Sequence, residues 1–285
     1  MNSLYNYAFF DEGSKREIRR AILKAVALPG YQVPFASREM PIARGWGTGG
    51  LQLTLSLVGR SDVLKVIDQG SDDSVNAVNI RKFVSGTTGV AVTEDAREAT
   101  IIQSRHRIPE SPLREGQVLV LQVPLPEPLR LIEPSEYKTK RLHAERDYSG
   151  AYLVLFEEIQ RYGRVATGAD HPVEVHGRYV MAPSPIPRFD NPKLDGNPAL
   201  ILLGAGREKK IYAVPPYTKV RSLDFEDQPF RVEDFGSAAC GLCGASGVYL
   251  DELVDPSTGS KTWRCNDTSE CASRRRASQE AADAS

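Results

Sequence analysis

Hydrophobic and polar residues follow two different periods along the chain, and each period predicts an element. Residues 14–27 place apolar side chains on one stripe at helical spacing, with basic residues opposite, so they predict an amphipathic helix that ends at Pro29 and Gly30. In residues 51–59, leucines occupy every second position from Leu51 to Leu57, with polar residues between them. This alternation predicts a half-buried strand.

Further runs of the same two periods complete the predicted fold. Residues 136–163 carry apolar side chains at helical spacing between two clusters of prolines. The order of elements indicates an α+β fold: a mixed sheet core with helices, a central helical insertion and a small C-terminal cysteine-bound module. The other predicted elements are a helix at 73–84 closed by Gly86 and strands at 99–104, 117–123, 199–204 and about 211–214.

These elements divide the chain into four parts. Residues 1–134 and 171–235 form the α+β core, and residues 135–170 form the helical insertion. The insertion carries more apolar residues than a solvated helix requires, so it either docks on its own domain or binds a partner. Residues 236–273 are the cysteine-rich module, and the polar residues 274–285 are predicted to be a disordered tail.

The composition narrows the class of protein. The 285 residues are 41% hydrophobic and 26% charged, which is ordinary for a globular protein, and the net charge is −1. No overall field therefore recruits nucleic acid or an anionic membrane. The chain shows no signal peptide and no run long enough to span a bilayer, so we expect a cytoplasmic protein that binds neither.

All four cysteines lie in one short window near the C-terminus. Clustered thiols in a cytosolic chain are typical of metal ligands or redox groups. Two interpretations remain open: a structural zinc ribbon bound by all four thiolates, or an iron–sulfur cluster on three cysteines that leaves the fourth as a reactive thiol. Thiolates bind either metal. The four residues are Cys240, Cys243, Cys265 and Cys271, and the 21 residues before Cys265 have the pattern of a hairpin.

Long stretches of the sequence resemble the PhnJ family of carbon–phosphorus lyase subunits. They include RRAILKAVALPGYQVPF, VIDQGSDDSVNAVNIRKF, VHGRYVMAPSPIPRFDNPK and CGLCGAS, and the similar stretches cover most of residues 5–271. The family's Cys-x2-Cys-x21-Cys motif matches Cys240, Cys243 and Cys265. Its downstream cysteine matches Cys271, and its proposed radical glycine matches Gly30.

The resemblance implies a radical S-adenosylmethionine enzyme. Such an enzyme cleaves alpha-D-ribose 1-methylphosphonate 5-phosphate to alpha-D-ribose 1,2-cyclic phosphate 5-phosphate and methane. A 4Fe–4S cluster on the first three cysteines would cleave S-adenosylmethionine, and the radical would pass through Gly30 to the sulfur of Cys271, which attacks phosphorus. A cofactor is needed because hydrolysis of a C–P bond would expel a carbanion. Zinc is expected to replace the cluster in aerobically prepared protein.

A substrate with a phosphonate and a 5-phosphate requires an anion site. The segment GWGTGG offers close backbone N–H groups but lacks the lysine of a Walker A loop, and its alternative interpretation is a plain turn. Arg105, His106 and Arg107 follow a predicted strand, although a lone histidine is ordinarily structural. The remaining candidates are Gly47, Thr48, Gly49 and Gly50 of that segment and, as a second cluster or mere surface charge, Arg207, Lys209 and Lys210.

The resemblance also implies partners. These are the subunits PhnG, PhnH and PhnI and an ATPase-like subunit, PhnK, which the helical insertion would receive. The competing hypothesis is a non-catalytic zinc-ribbon scaffold subunit of a multiprotein complex. Iron and sulfide content after anaerobic reconstitution distinguishes the two, because a scaffold holds zinc and cleaves no S-adenosylmethionine.

Overall fold

The chain forms an α+β fold around a mixed sheet, as predicted. A computed structural model describes residues 48–122, 135–162, 190–205, 210–223 and 233–284, together with 33–34, 173–175, 179–181 and the single residues Gly13, Glu133, Gly177 and Ile186. The helix predicted at 14–27 lies outside these residues, and so do Gly30, Gly47, Arg207 and Lys209.

Six helices and twelve strands are formed by the described residues. The helices are α1 Thr48–Leu57, α2 Val75–Thr88, α3 Glu136–Glu145, α4 Ser149–Tyr162, α5 Asn191–Leu194 and α6 Thr268–Asp283. The strands are β1 Val33–Pro34, β2 Val63–Asp68, β3 Ala91–Val92, β4 Ile101–Arg105, β5 Val118–Gln122, β6 Val173–Val175, β7 Tyr179–Met181, β8 Leu200–Ala205, β9 Lys210–Val214, β10 Val220–Ser222, β11 Leu250–Val254 and β12 Lys261–Cys265.

Seven strands form the main sheet in the order β1-β9-β8-β5-β4-β2-β3. Strands β3, β2, β4, β5 and β8 run parallel, β9 pairs antiparallel with β8, and β1 pairs antiparallel with β9. The parallel strands end together, because Asp68, Arg105, Gln122 and Gly204 are successive partners in the register. We call this end of the sheet the carboxyl edge; in parallel sheets it is the usual place for ligands.

Each face of the sheet is covered by its own apolar cluster. Leucines of α1 and residues of α2 such as Ile80 and Val84 pack on one face. The other face carries Ile102, Leu119 and Leu203 and packs against the small antiparallel sheet β10-β6-β7. Burial on both faces explains the nearly continuous apolar runs of the central strands.

Helix α1 corrects the strand predicted at 51–59. Its four leucines are buried, and the intervening Thr54 and Ser56 are buried as well. The alternation therefore does not separate a solvent-exposed face from a buried face. The Thr54 hydroxyl donates to the Gln103 side chain of β4, which satisfies both polar groups inside the core. A helix buried all round has no amphipathic period, and its leucine spacing therefore resembled that of a strand.

The other core predictions agree with the structure to within two residues at each strand end. Strands β4, β5, β8 and β9 are confirmed. The helix predicted at 73–84 runs on as α2, because Gly86 lies inside it and Gly89, with φ of 71°, provides the left-handed end. Ser74 caps its start by accepting from the Ala77 N–H at 3.1 Å.

Helices are also formed within the predicted helical segment 136–163, and the predicted hairpin of the cysteine module is present. Residues 136–162 form α3 and α4, separated where Arg146 takes a left-handed conformation. The predicted hairpin is β11–β12, which pairs Leu250 with Cys265. The disordered tail is not found: residues 274–283 continue α6, which begins where Asp267 caps the Glu270 N–H. In the part of the chain that the structure describes, no helix is long and apolar enough to cross a membrane.

Candidate functional site

The four cysteines converge on one point at the C-terminal module. Cys240 and Cys243 lie on a turn closed by the Gly244 N–H donating to the Cys240 carbonyl at 2.8 Å. The hairpin returns Cys265 at the end of β12, and Cys271 follows on the first turns of α6. All four sulfurs lie within 4.8 Å of one another, with Cys240 to Cys271 at 3.8 Å and Cys243 to Cys265 at 3.5 Å.

This spacing matches a single tetrahedral metal ion. With zinc–sulfur bonds of about 2.3 Å, the edge of the sulfur tetrahedron is about 3.8 Å. None of the four cysteines is in a disulfide, so all are available as ligands. An iron–sulfur cluster has suitable thiolate donors here, but each cysteine would bind a different iron, and the sulfurs would have to lie farther apart. As it stands, the site fits one ion with four ligands.

The thiols of the centre differ in acidity. Burial opposes ionisation of Cys240, but the N–H groups of Cys243, Leu242 and Cys265 donate to its sulfur and lower its pKa to about 6. Burial and the neighbouring sulfurs raise the pKa of Cys271 to about 12 and also raise that of Cys265. In the metal-free protein Cys240 therefore ionises first, and a metal must displace the protons of the others.

The module docks on the carboxyl edge of the sheet. Position 70, just after β2, is occupied by a glycine that no other residue could replace without strain. Its φ is +93°, and a Cβ on Gly70 would lie 1.5 Å from Asn266 Oδ1. The Arg107 guanidinium, just after β4, lies 3.7 Å from the centre of the Tyr249 ring. The ends of β2 and β4 thus contact the segments on either side of the hairpin.

The candidate anion-binding residues 105–107 are at the same edge, each in a different environment. Arg105 is engaged by Asp68 through two of its nitrogens, with Nη2 to Oδ2 at 2.7 Å, so its charge is compensated. His106 has a φ of 70°, so its backbone is in the left-handed region that non-glycine residues rarely adopt. Burial, and then the charge of Arg105, lower the pKa of His106, so at neutral pH its imidazole is uncharged and interacts by hydrogen bonding.

The described part of the glycine-rich segment, residues 48–50, also lies at this edge. Thr48, Gly49 and Gly50 form the first turn of α1, where backbone N–H groups have no partner within the helix. A Cβ on Gly50 would lie 2.4 Å from that of Gln122 at the end of β5. Gly50 is therefore required for close packing of α1 on the sheet, a role that neither interpretation of the segment anticipated.

The carboxyl edge thus brings together residues that are far apart in the sequence. It carries the start of α1, residues 105–107, and the end of β8, where Ala205 pairs with Lys210 at the start of β9. Sequence reasoning missed Gln122 and Asp68, which end their strands beside the candidates. For Gln122 the available signal was a polar residue closing an otherwise apolar strand.

The fold and site define an α+β protein whose four-cysteine module, with sulfurs spaced to hold a metal ion, docks on the carboxyl edge of a mixed sheet. The sequence matches the family model of phosphonate metabolism protein PhnJ over residues 3–277, and the chain belongs to this family. It is 60% identical over 277 residues to the alpha-D-ribose 1-methylphosphonate 5-phosphate C-P-lyase of Rhizobium meliloti (strain 1021), covering 96% of this chain and 93% of that protein. The C-P lyase of the same description from Escherichia coli (strain K12) is 59% identical over 267 residues, covering 94% of this chain and 95% of its own length.

Proposed function

We propose that this chain is a carbon–phosphorus lyase that converts alpha-D-ribose 1-methylphosphonate 5-phosphate to alpha-D-ribose 1,2-cyclic phosphate 5-phosphate and methane. Two relatives that match nearly the whole chain are named as C-P lyases of alpha-D-ribose 1-methylphosphonate 5-phosphate. The observation that carries the proposal is the carboxyl edge, where a thiolate cluster docks beside the candidate anion-binding residues. A lyase of this kind needs both in one site.

The anionic groups of the substrate are assigned to the chain's own residues at this edge. The first turn of α1, with Thr48, Gly49 and Gly50, offers backbone N–H groups and the positive end of a helix dipole. The neutral imidazole of His106 adds a directional hydrogen-bonding group, while Arg107 holds the module against the edge through Tyr249. Arg105 orients the strand ends through Asp68.

We further propose that the active form is a radical S-adenosylmethionine enzyme with its cluster on Cys240, Cys243 and Cys265. Bound there, the cofactor would supply the one-electron chemistry that C–P cleavage needs. The four-sulfur arrangement corresponds to the zinc-type form expected of aerobically prepared protein. Cys271 lies 3.8 Å from Cys240 within that arrangement, so it must leave the other sulfurs before its thiol can react with a substrate.

Anaerobic reconstitution with iron and sulfide tests this division of labour. Replacing Cys240, Cys243 or Cys265 by alanine should abolish cluster absorbance and S-adenosylmethionine cleavage. The Cys271→Ala protein should keep both and lose methane formation, and Gly30→Ala should lose C–P cleavage in a folded protein. A Cys271→Ala protein that assembles no cluster would make Cys271 a ligand and refute the assignment.

The second candidate function is a zinc-ribbon scaffold, which the four-sulfur geometry favours. Zinc that persists through anaerobic reconstitution, with no S-adenosylmethionine cleavage, would support the scaffold against the lyase. Either function accommodates the partners PhnG, PhnH, PhnI and PhnK. The insertion supports partner binding, because Leu153 and Phe156 of α4 are each 58% exposed.

A further inference from the structure

Arg274 links the metal centre to the sheet domain. It lies on α6, one turn after Cys271, and its Nη1 is 3.6 Å from Cys265 Sγ and 3.9 Å from Cys243 Sγ. Its Nη2 donates to the carboxylate of Glu110, whose side chain is only 7% exposed. One guanidinium therefore touches two cluster sulfurs and one buried acid of the core.

The position of this guanidinium is fixed by contacts outside the four cysteines. The Glu110 N–H donates to Asp267 Oδ2 at 2.7 Å, and the same Asp267 caps the start of α6. The neighbouring Ser111 hydroxyl donates to Glu270 Oε2 at 2.7 Å. The loop after β4 and the first turn of α6 thus hold Glu110 in register with Arg274.

We propose that Arg274 is a positioning residue for the metal centre, compensating the negative charge of the thiolates and orienting the sulfurs of Cys243 and Cys265. The proposal rests on metal binding by the four cysteines, as proposed above. A divalent ion with four thiolates carries an excess of two negative charges, and a fixed cation in contact with two of the sulfurs stabilises that charge. Partners outside the ligand set commonly fix ligand geometry in this way.

The chain offers a matched control for this test. Arg275 is the next residue on α6 and is exposed, so Arg275→Gln removes the same charge without touching a sulfur. Zinc affinity of the full-length protein is measured by competition with a chromophoric chelator. Arg274→Gln should weaken zinc binding by roughly 10–100-fold, Arg274→Lys should restore part of the loss, and Arg275→Gln should leave the affinity unchanged.

A second measurement separates charge compensation from a plain core ion pair. If Arg274 acts on the thiolates, Arg274→Gln lowers the free energy of unfolding more in the zinc-loaded protein than in the zinc-free protein. Equal losses in the two forms, or equal affinities of the Arg274→Gln and Arg275→Gln proteins, would overturn the proposal. A wild-type protein that binds no zinc under these conditions would instead refute the metal centre itself.

Discussion

Lys65 provides the sharpest test of how the core and the module are joined. It lies in the middle of β2 and is 1% exposed. Its ammonium group donates to Asp72 Oδ2 at 2.6 Å, to the Glu94 carbonyl at 2.6 Å and to Ser269 Oγ of α6 at 3.1 Å. Asp72 is itself 2% exposed, so this is a fully buried ion pair at the contact with the module.

Replacing Lys65 by Met keeps most of the volume and removes the charge. Removing one partner of a buried ion pair lowers the free energy of unfolding by about 3–5 kcal/mol, because the remaining charge is buried without compensation. Burial raises the pKa of Asp72 to about 6 even with Lys65 present, so in the variant Asp72 should take up a proton and limit the loss. The loss should therefore be smaller at mildly acidic pH than above neutrality.

The double variant Lys65→Met with Asp72→Leu completes the test. With no buried charge left, it should regain most of the stability, apart from about 1 kcal/mol for the Glu94 carbonyl that loses its donor. Urea unfolding followed by tryptophan fluorescence measures each free energy, with exposed Lys82→Met as the control. The reasoning would be refuted if Lys65→Met lowered the free energy of unfolding by less than about 1 kcal/mol. It would also be refuted if the double variant were no more stable than Lys65→Met alone.

Three further predictions test separate features. Burial raises the pKa of Asp190 to about 6, above its value of 3.8 when unfolded, so the folded state holds the proton longer. The free energy of unfolding should therefore fall by up to about 3 kcal/mol as the pH rises through this window, and Asp190→Asn should flatten that part of the profile in pH-dependent urea unfolding. In calorimetry, Gly50→Ala should destabilise the folded protein by about 1–3 kcal/mol, because the added Cβ would clash with Gln122. Gly86→Ala should stabilise the folded protein slightly, because its added Cβ meets nothing within 4 Å. If the insertion binds the ATPase-like subunit as proposed, Leu153→Glu or Phe156→Glu should abolish its pull-down at unchanged melting temperature, while Val75→Glu, at a surface position of α2 that is 75% exposed, should leave pull-down intact.

Sequence patterns identified the helices and strands in which the order of apolar and polar residues matches the order of buried and exposed side chains. Strands β4, β5 and β8 read as short apolar runs bounded by turn residues, and the hairpin followed from the spacing of Cys243 and Cys265. Strand β2 was missed because Lys65 interrupts its apolar run. Its burial depends on Asp72 and on Ser269, a residue more than two hundred positions away, and no local pattern reports such a partner.

The candidate site shows the same division between local and distant information. Clustering of the cysteines predicted a metal module, since the ligand types and spacing are local features. The carboxyl edge was not predictable in the same way, because it depends on which strands lie next to each other. Gln122 joins the edge through its register with Arg105 and Gly204, and Gly50 through its close approach to Gln122.

The order of synthesis gives the contact between Lys65 and Ser269 a further consequence. The two residues are 204 positions apart, so β2 leaves the ribosome long before α6 is made. Until then the ammonium of Lys65 lacks one of its three partners, and Glu110 lacks Arg274. Helix α6 also delivers Cys271, which completes the set of four sulfurs. A chain that terminates before α6 would therefore lack these contacts and one of the four sulfurs, which ties maturation of the protein to the synthesis of α6.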